Sequence, residues 1–82
     1  MEIKGTPRFE RMLKRLHPDH QRHVLERASE LKQNPFIGKR LTGPLNGIYS
    51  LRVGDYRLLY YVDISTKLIW LVSVDHRSRA YE

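Results

Sequence analysis

The chain has 82 residues, a length that supports one hydrophobic core and is too short for two, so we expect a single domain over residues 1–82. Its 15 Lys and Arg against 9 Asp and Glu give a net charge of +6, and a hydrophobic content of 40% excludes disorder. The lack of cysteine excludes disulfides and thiolate sites, and no apolar run is long enough for a membrane span, so a cytoplasmic location without a membrane partner is expected.

The excess of positive charge points to a polyanionic partner. Ten of the 15 cationic side chains are arginines, whose planar guanidinium groups suit bidentate contact with phosphate. We therefore consider nucleic acid first.

Two amphipathic helices are predicted in the first half of the chain. Thr6 followed by Pro7 is typical of a helix start, and His17-Pro18-Asp19 ends the first helix and begins a second that runs to Asn34-Pro35. Apolar residues at helical spacing form two stripes, Phe9, Met12, Leu13 and Leu16 in the first helix and Val24, Leu25, Ala28 and Leu31 in the second. The short link between them predicts an antiparallel helical hairpin.

The second half of the chain has the pattern of a β-meander. Residues 35–47 are rich in Gly and Pro and predict an exposed basic loop, after which a period of two predicts strands at 48–53, 56–62 and 67–74. Gly54-Asp55 is typical of a two-residue hairpin with a type II′ turn, and residues 1–5 are compatible with an added edge strand. The expected fold class is α+β, with an N-terminal helical hairpin packed on a small antiparallel β-sheet.

The predicted hairpin places Arg52 directly opposite Arg57, and like charges at such a position are destabilising by about 0.2–1 kcal/mol. An anion held between the two guanidinium groups would account for the pair. The alternative is that both side chains point into water, or that Asp55 and Asp75 neutralise them. Alternation assigns these residues to the core face: Tyr49, Leu51, Val53, Tyr56, Leu58, Tyr60, Val62, Leu68, Trp70, Val72 and Val74.

The arginine face is expected to carry Tyr61, a candidate for stacking on bases, together with the apolar residues Ile48, Leu59, Ile69 and Leu71. Other sites are not supported by the sequence. His17, His20 and His23 recur every three residues, but Pro18 interrupts the spacing and no thiol or carboxylate completes a ligand set, so no metal is expected. The glycines of the loop do not form a phosphate-binding motif, and no cofactor is expected.

Three segments together resemble the RelE/ParE superfamily of toxin–antitoxin toxins, and its RelE-like branch most. They are Asn34-Pro35-Phe36-Ile37-Gly38-Lys39-Arg40-Leu41, Tyr49-Ser50-Leu51-Arg52-Val53-Gly54-Asp55-Tyr56-Arg57-Leu58-Leu59-Tyr60, and Asp75-His76-Arg77 with Tyr81. The resemblance covers nearly the whole chain, helices included. It implies a small cytoplasmic toxin that cuts mRNA at the ribosome without a metal and is silenced by a cognate antitoxin protein.

The resemblance also implies roles for particular residues. Arg57 and Arg77 would contact the scissile phosphate with help from Arg52, and Tyr81 would orient the 2′-hydroxyl. The expected RNA-binding residues are Lys39, Arg40, Arg79 and Tyr61. The best-known branch has lysines where this chain has Ile48 and Ser50, so proton transfer is expected of His76, because imidazole accepts and releases protons near neutral pH. Lys39 or Arg40 is the alternative.

Two other functions are compatible with the same sequence. A ParE-like toxin shares the fold but binds DNA gyrase and is not a nuclease. A non-enzymatic RNA-binding module would need only basic charge and exposed aromatic residues.

Overall fold

Two helices pack on one face of a five-stranded sheet in the computed structural model, which describes residues 1–76. The helices are α1 (Pro7–Lys14) and α2 (Pro18–Ser29), the second continued by one 3₁₀ turn (Glu30–Lys32). The strands are β1 (Glu2–Gly5), β2 (Lys39–Arg40), β3 (Ile48–Val53), β4 (Tyr56–Asp63) and β5 (Leu68–His76). This arrangement confirms the α+β class.

The sheet is larger than the predicted meander and is mixed. Its strand order is β1-β5-β4-β3-β2, with β1 parallel to β5 and every other pair antiparallel. The expected edge strand at the N-terminus is therefore present. The second edge, β2, is formed by Lys39 and Arg40 within the predicted loop, and two residues are too few to produce a periodic pattern in the sequence.

Both helices begin as the sequence predicts. The Thr6 hydroxyl accepts a hydrogen bond from the Phe9 N–H at 3.1 Å, and Nδ1 of His17 accepts one from the Asp19 N–H at 3.1 Å. Each cap satisfies a backbone donor that has no partner within its helix, and Pro7 and Pro18 follow where a missing N–H costs nothing.

The core lies between the helices and the sheet face that they cover, which we call the helix-covered face. Phe9 and Leu13 of α1 and Val24 and Ala28 of α2 are buried there. The prediction for Leu25 is wrong, because 49% of this residue is exposed. The turn of α2 that carries Leu25 directs the side chain away from the sheet, and the narrower stripe of Val24, Ala28 and Leu31 suffices to contact it.

The registers of β3 and β4 agree with the prediction, but β5 does not alternate as expected. Leu59 pairs with Ser73 and Tyr60 with Leu71, so one extra residue, Val72, interrupts the ladder. Such a β-bulge exchanges the two faces for the rest of the strand. In the part of β5 before Val72, the residues predicted on the arginine face therefore lie in the core, and the residues predicted in the core lie on the arginine face.

The bulge corrects four assignments. Ile69 and Leu71 are 0% and 3% exposed and belong to the core, while Leu68 and Trp70 pair with Asp63 and Tyr61 on the other face. Thr6, which precedes α1, forms hydrogen bonds with β5 at the bulge. Thr6 donates from its N–H to the Leu71 carbonyl at 2.9 Å and from its hydroxyl to the Val72 carbonyl at 3.1 Å. The start of α1 is thus bound to the two consecutive carbonyls at the bulge.

Candidate functional site

Arg52 and Arg57 form a cross-strand pair beside the turn that joins β3 to β4. Gly54 has a φ of 60°, and Asp55 is not among the residues with positive φ, which is the arrangement of a type II′ turn. This two-residue turn fixes the register and so brings the two guanidinium-bearing residues to adjacent strands, whose axes lie about 4.8 Å apart. The sequence prediction of this pair is confirmed.

The pair lies on the sheet face that points away from the helices, which we call the distal face. Its register residues include Lys39, Ile48, Ser50, Arg52, Arg57, Leu59, Tyr61, Asp63, Leu68, Trp70, Ser73 and Asp75. Arg52 is exposed and Arg57 is half-buried. Asp75 of β5 is in register with Arg57, so one carboxylate extends the row across three strands as Arg52, Arg57 and Asp75.

The ion pairs of residues 1–76 lie away from Arg52. Four side-chain ion pairs within residues 1–76 involve α2 and its flanking residues, and they join His17 to Asp19, Arg22 to Asp19, Arg22 to Glu26 and Arg27 to Glu30. Within the same residues Arg52 forms no ion pair, with Asp55 or any other carboxylate. Its charge is therefore available to an anion from outside.

Two aromatic residues, Tyr61 and Trp70, lie on the same face as direct cross-strand partners. Tyr61 is 42% exposed and in register with Ile48 on β3 and Trp70 on β5. The position expected for Tyr61 is confirmed, whereas its role in stacking stays a prediction. Trp70 joins this face because of the bulge, a placement that strict alternation does not reveal.

His76 is not brought together with the two arginines. It is in register with Tyr56 on the helix-covered side, with ring centroids 5.9 Å apart, and Tyr56 contacts His20 of α2 at 5.0 Å. The His76 N–H donates to the side chain of Asp75 at 2.8 Å. The sequence contains a signal for this orientation, because His76 has the same parity as Val74, which is buried in the core.

Two clefts flank Tyr56. The larger, about 490 Å³, lies between α2 and the β3–β4 turn, and the smaller, about 410 Å³, lies between α1 and the end of β5. The walls of the larger cleft include three acidic residues, Glu26, Glu30 and Asp55. Arg27 and Arg52 line the same cleft, so Arg52 borders both this cleft and the sheet face that carries Arg57. The three carboxylates repel phosphate, which makes the Arg57 side of Arg52 the better position for a nucleic acid backbone.

The two cations of the predicted loop, Lys39 and Arg40, form β2 and belong to opposite faces of the sheet. Lys39 is in register with Ser50 and therefore belongs to the distal face, whereas Arg40 is in register with Tyr49 and belongs to the other face. Both are exposed. Three predicted site residues, Arg77, Arg79 and Tyr81, lie outside the described residues.

Two specific kinds of site are absent from the described part of the chain. Within residues 1–76, no three side chains of His, Asp or Glu are grouped so that they could hold a metal ion. No helix in that part of the chain combines the length and the apolar composition that a bilayer crossing requires.

Comparison with known proteins gives the family. The profile described as "ParE toxin of type II toxin-antitoxin system, parDE" matches residues 3–81. Toxin RelG of Mycobacterium tuberculosis is 36% identical over 81 residues, a match that covers 96% of this chain and 93% of RelG. The chain therefore belongs to the RelE/ParE superfamily and is a RelE-family toxin of a type II toxin–antitoxin system.

Solved structures agree with this assignment. The crystal structure of the toxin–antitoxin complex RelBE2 from M. tuberculosis contains a chain that is 36% identical, with a TM-score of 0.86 and coverage of 93% of this chain and 96% of that one. The isolated Escherichia coli RelE toxin, at 17% identity, has a TM-score of 0.80 over 98% of this chain and 87% of that chain, and at that identity it shows the fold alone.

Proposed function

We propose that this toxin is an endoribonuclease that cuts mRNA, with the Arg52–Arg57 pair as the site of the scissile phosphate. The observation that carries the proposal is the register of β3 and β4, which places Arg52 directly opposite Arg57 on the neighbouring strand, where like charges are unfavourable in general. A phosphodiester between them would convert this repulsion into two charge-assisted contacts. The naming of similar proteins as RelG and RelE toxins supports the same reading.

The reaction needs no metal if the RNA supplies its own nucleophile. The 2′-oxygen attacks the adjacent phosphorus, the bond from phosphorus to the 5′-oxygen breaks, and the products are a 2′,3′-cyclic phosphate and a free 5′-hydroxyl. Negative charge grows on the non-bridging oxygens during this step, and fixed cations placed there lower the barrier. In the proposal this is the role of Arg52 and Arg57, together with Arg77.

Two protons must move, one from the 2′-hydroxyl and one to the leaving 5′-oxygen. Ile48 and Ser50 occupy the distal-face positions of β3 next to Arg52, and neither side chain is a general base at neutral pH. We assign proton transfer to His76 and Tyr81. In the proposal, the exposed His76 side chain leaves Tyr56 and turns around the end of β5 toward Arg57 when RNA is bound.

The partners follow from the same reading. Related structures are described as toxin–antitoxin complexes, including RelBE2 of M. tuberculosis and RelE–RelB of Pyrococcus horikoshii. We propose a cognate antitoxin for this chain as well, one acidic enough to complement a charge of +6. We further propose action on ribosome-bound mRNA in the cytoplasm.

Cleavage of mRNA on purified ribosomes, read by primer extension, tests the proposal. We expect Arg52→Ala and Arg57→Ala each to lower the cleavage rate by about 10²–10³-fold, the effect of removing one preorganised donor from a developing oxyanion. Arg8→Ala is the matched control, because Arg8 is an exposed arginine on α1, remote from the distal face, and should leave the rate unchanged.

The outcomes separate the candidate functions. Full activity in both arginine variants would refute the proposed site. No cut RNA from the unaltered chain, together with inhibition of DNA gyrase, would favour the ParE-like alternative. RNA bound but never cut would favour a binding module.

A further inference from the structure

An exposed aromatic side chain stands at the β2 edge of the sheet, on top of two others. Phe36 is 51% exposed, and its ring centroid lies 5.5 Å from that of Tyr49. Tyr49 in turn stacks on Tyr60 at 5.4 Å with only 21° between the ring planes, and Tyr60 is fully buried. Three rings therefore run from the surface into the core.

The loop that carries Phe36 is held by two hydrogen bonds. The Gly38 N–H donates to the Tyr60 hydroxyl oxygen at 3.0 Å, and the Ile37 N–H donates to the Asn34 carbonyl at 3.2 Å. A side chain at position 38 has no space, since a Cβ would lie 2.8 Å from the Ser50 carbonyl oxygen. A ring on such a support loses little conformational entropy when a ligand stacks on it.

The segment that carries the ring is basic. Between Glu30 and Asp55 the sequence contains four cations, Lys32, Lys39, Arg40 and Arg52, and no acidic residue. Arg40 is in register with Tyr49, so its guanidinium group arises on the same face as the stacked rings. An exposed aromatic ring beside cations in a segment without carboxylates is the combination that binds single-stranded nucleic acid.

We infer that Phe36 is a stacking subsite for one base of single-stranded RNA, with Tyr49 supporting its ring and Arg40 contacting the adjoining phosphate. This inference rests on the proposed function and deepens it, because it adds a binding site beyond the cleaved bond. Tyr49 and Arg52 are three residues apart on β3, about 10 Å along the strand, and belong to opposite faces of the sheet, so one RNA strand reaches both sites by passing over the β2 edge.

The path between the two sites crosses the β2 edge. Arg40 faces the side of the stacked rings, whereas Lys39 faces the distal side with Arg52. An RNA strand that passes over the β2 edge therefore meets Arg40 on one face of the sheet and Lys39 on the other. RNA matches both features of this edge, because its phosphates pair with the cations and its bases stack on the exposed ring.

Binding of RNA that is not cut tests the inference separately from catalysis. A single-stranded RNA decamer labelled with fluorescein is titrated into the full chain carrying Arg57→Ala, and anisotropy gives the dissociation constant. We expect Phe36→Ala in that background to weaken binding roughly 5- to 150-fold, the worth of one base–aromatic stack. Phe36→Trp should restore binding, whereas Phe36→Leu should not, because stacking needs a flat ring.

Two further variants complete the design. Ile64→Ala is the matched control, since Ile64 is 63% exposed in the turn between β4 and β5 and should not alter binding. Arg40→Gln should lower the slope of log affinity against log salt by about one contact.

Unchanged RNA affinity in Phe36→Ala would overturn the inference, and so would loss of antitoxin binding in that variant with RNA affinity intact, which would make Phe36 part of a protein interface. The proposed nuclease function fails on a different observation, namely absence of cleavage by the unaltered chain. The two failures are therefore distinguishable.

Discussion

The hydroxyl of Tyr60 reaches through the sheet edge to the backbone N–H of Gly38, 22 residues earlier in the chain, at 3.0 Å. Burial raises the pKa of the Tyr60 phenol above its usual value of 10.0, and the hydrogen bond from Gly38 acts in the opposite direction. The phenol is therefore neutral at physiological pH and remains a good acceptor. This contact fastens the loop after α2 to the centre of the molecule.

Gly38→Ala is expected to destabilise the fold. An added Cβ would lie 2.8 Å from both the Ser50 carbonyl oxygen and the Tyr60 hydroxyl, and forcing a methyl group into a packed site costs about 1–3 kcal/mol. Tyr60→Phe removes the acceptor alone and should cost less, about 0.5–1.5 kcal/mol. Urea unfolding measures both, and a Gly38→Ala variant as stable as the parent chain would show that the loop is not clamped.

The bulge in β5 leads to a second prediction, which compares two adjacent residues. Ile69→Ala should lower the free energy of unfolding by about 2–5 kcal/mol because it opens a cavity in the core. Leu68→Ala should cost under about 1 kcal/mol, since Leu68 is half-buried on the distal face. Strict alternation predicts the reverse order, so a larger loss at Leu68 in urea titrations would contradict the bulge.

The features that the sequence predicts depend on residues close together in the chain, whereas the features that it misses depend on contacts between residues far apart in the chain. The Arg52–Arg57 pair is predictable because its register depends on a two-residue turn with recognisable residues, Gly54 and Asp55. The bulge is not, because it is accompanied by hydrogen bonds to Thr6, which lies more than sixty residues away in the chain. Local patterns carry no trace of such a contact.

The same distinction applies to the candidate site. The cationic character of the distal face follows from Arg52 and Arg57 alone, but the placement of Trp70 there depends on the bulge. The contact of Phe36 with Tyr49 is also absent from the sequence pattern, since Phe36 belongs to a loop with no period of its own. Sequence patterning therefore predicts the arginines, the Tyr49–Tyr60 pair and Tyr61, and it misses Phe36 and Trp70.

A third prediction is that one substitution at position 52 raises the stability of the fold and abolishes its activity. Arg52→Glu replaces a repulsive cross-strand pair by an attractive one with Arg57 and should raise the free energy of unfolding by about 1 kcal/mol at low salt. The same change places a negative charge at the proposed phosphate site and should abolish mRNA cleavage. Urea unfolding and the primer-extension assay measure the two effects on the same preparation.

Arg52→Thr serves as the companion variant, because it removes the repulsion without adding an attraction. Its gain in stability should be smaller than that of Arg52→Glu and should depend less on salt. If both variants are less stable than the parent chain, the two arginines are not in repulsion, and the argument that their pairing reflects function fails.

The turn between β4 and β5 predicts a pH dependence in acid. One oxygen of Asp63 accepts three hydrogen bonds, from the Ser65 hydroxyl at 2.7 Å, the Ser65 N–H at 3.1 Å and the Thr66 N–H at 3.3 Å. The Ser65 hydroxyl, followed by Thr66, holds the pKa of the Asp63 carboxyl below its usual 3.8. The folded state therefore binds this proton more weakly than the unfolded state does.

The sign of the effect follows from that difference. The contribution of the Asp63 carboxylate to stability is complete above pH 3.8 and is lost as the pH falls through the lower pKa of the folded state. Asp63→Ala should thus be less stable than the parent chain at neutral pH, and the gap should narrow only below pH 3.8. Ser65→Ala, which removes the strongest donor, should show a narrower window, measured by urea unfolding over an acid pH series. A gap between Asp63→Ala and the parent that stays constant throughout the acid range would mean that the turn depends on the shape of Asp63 and not on its charge.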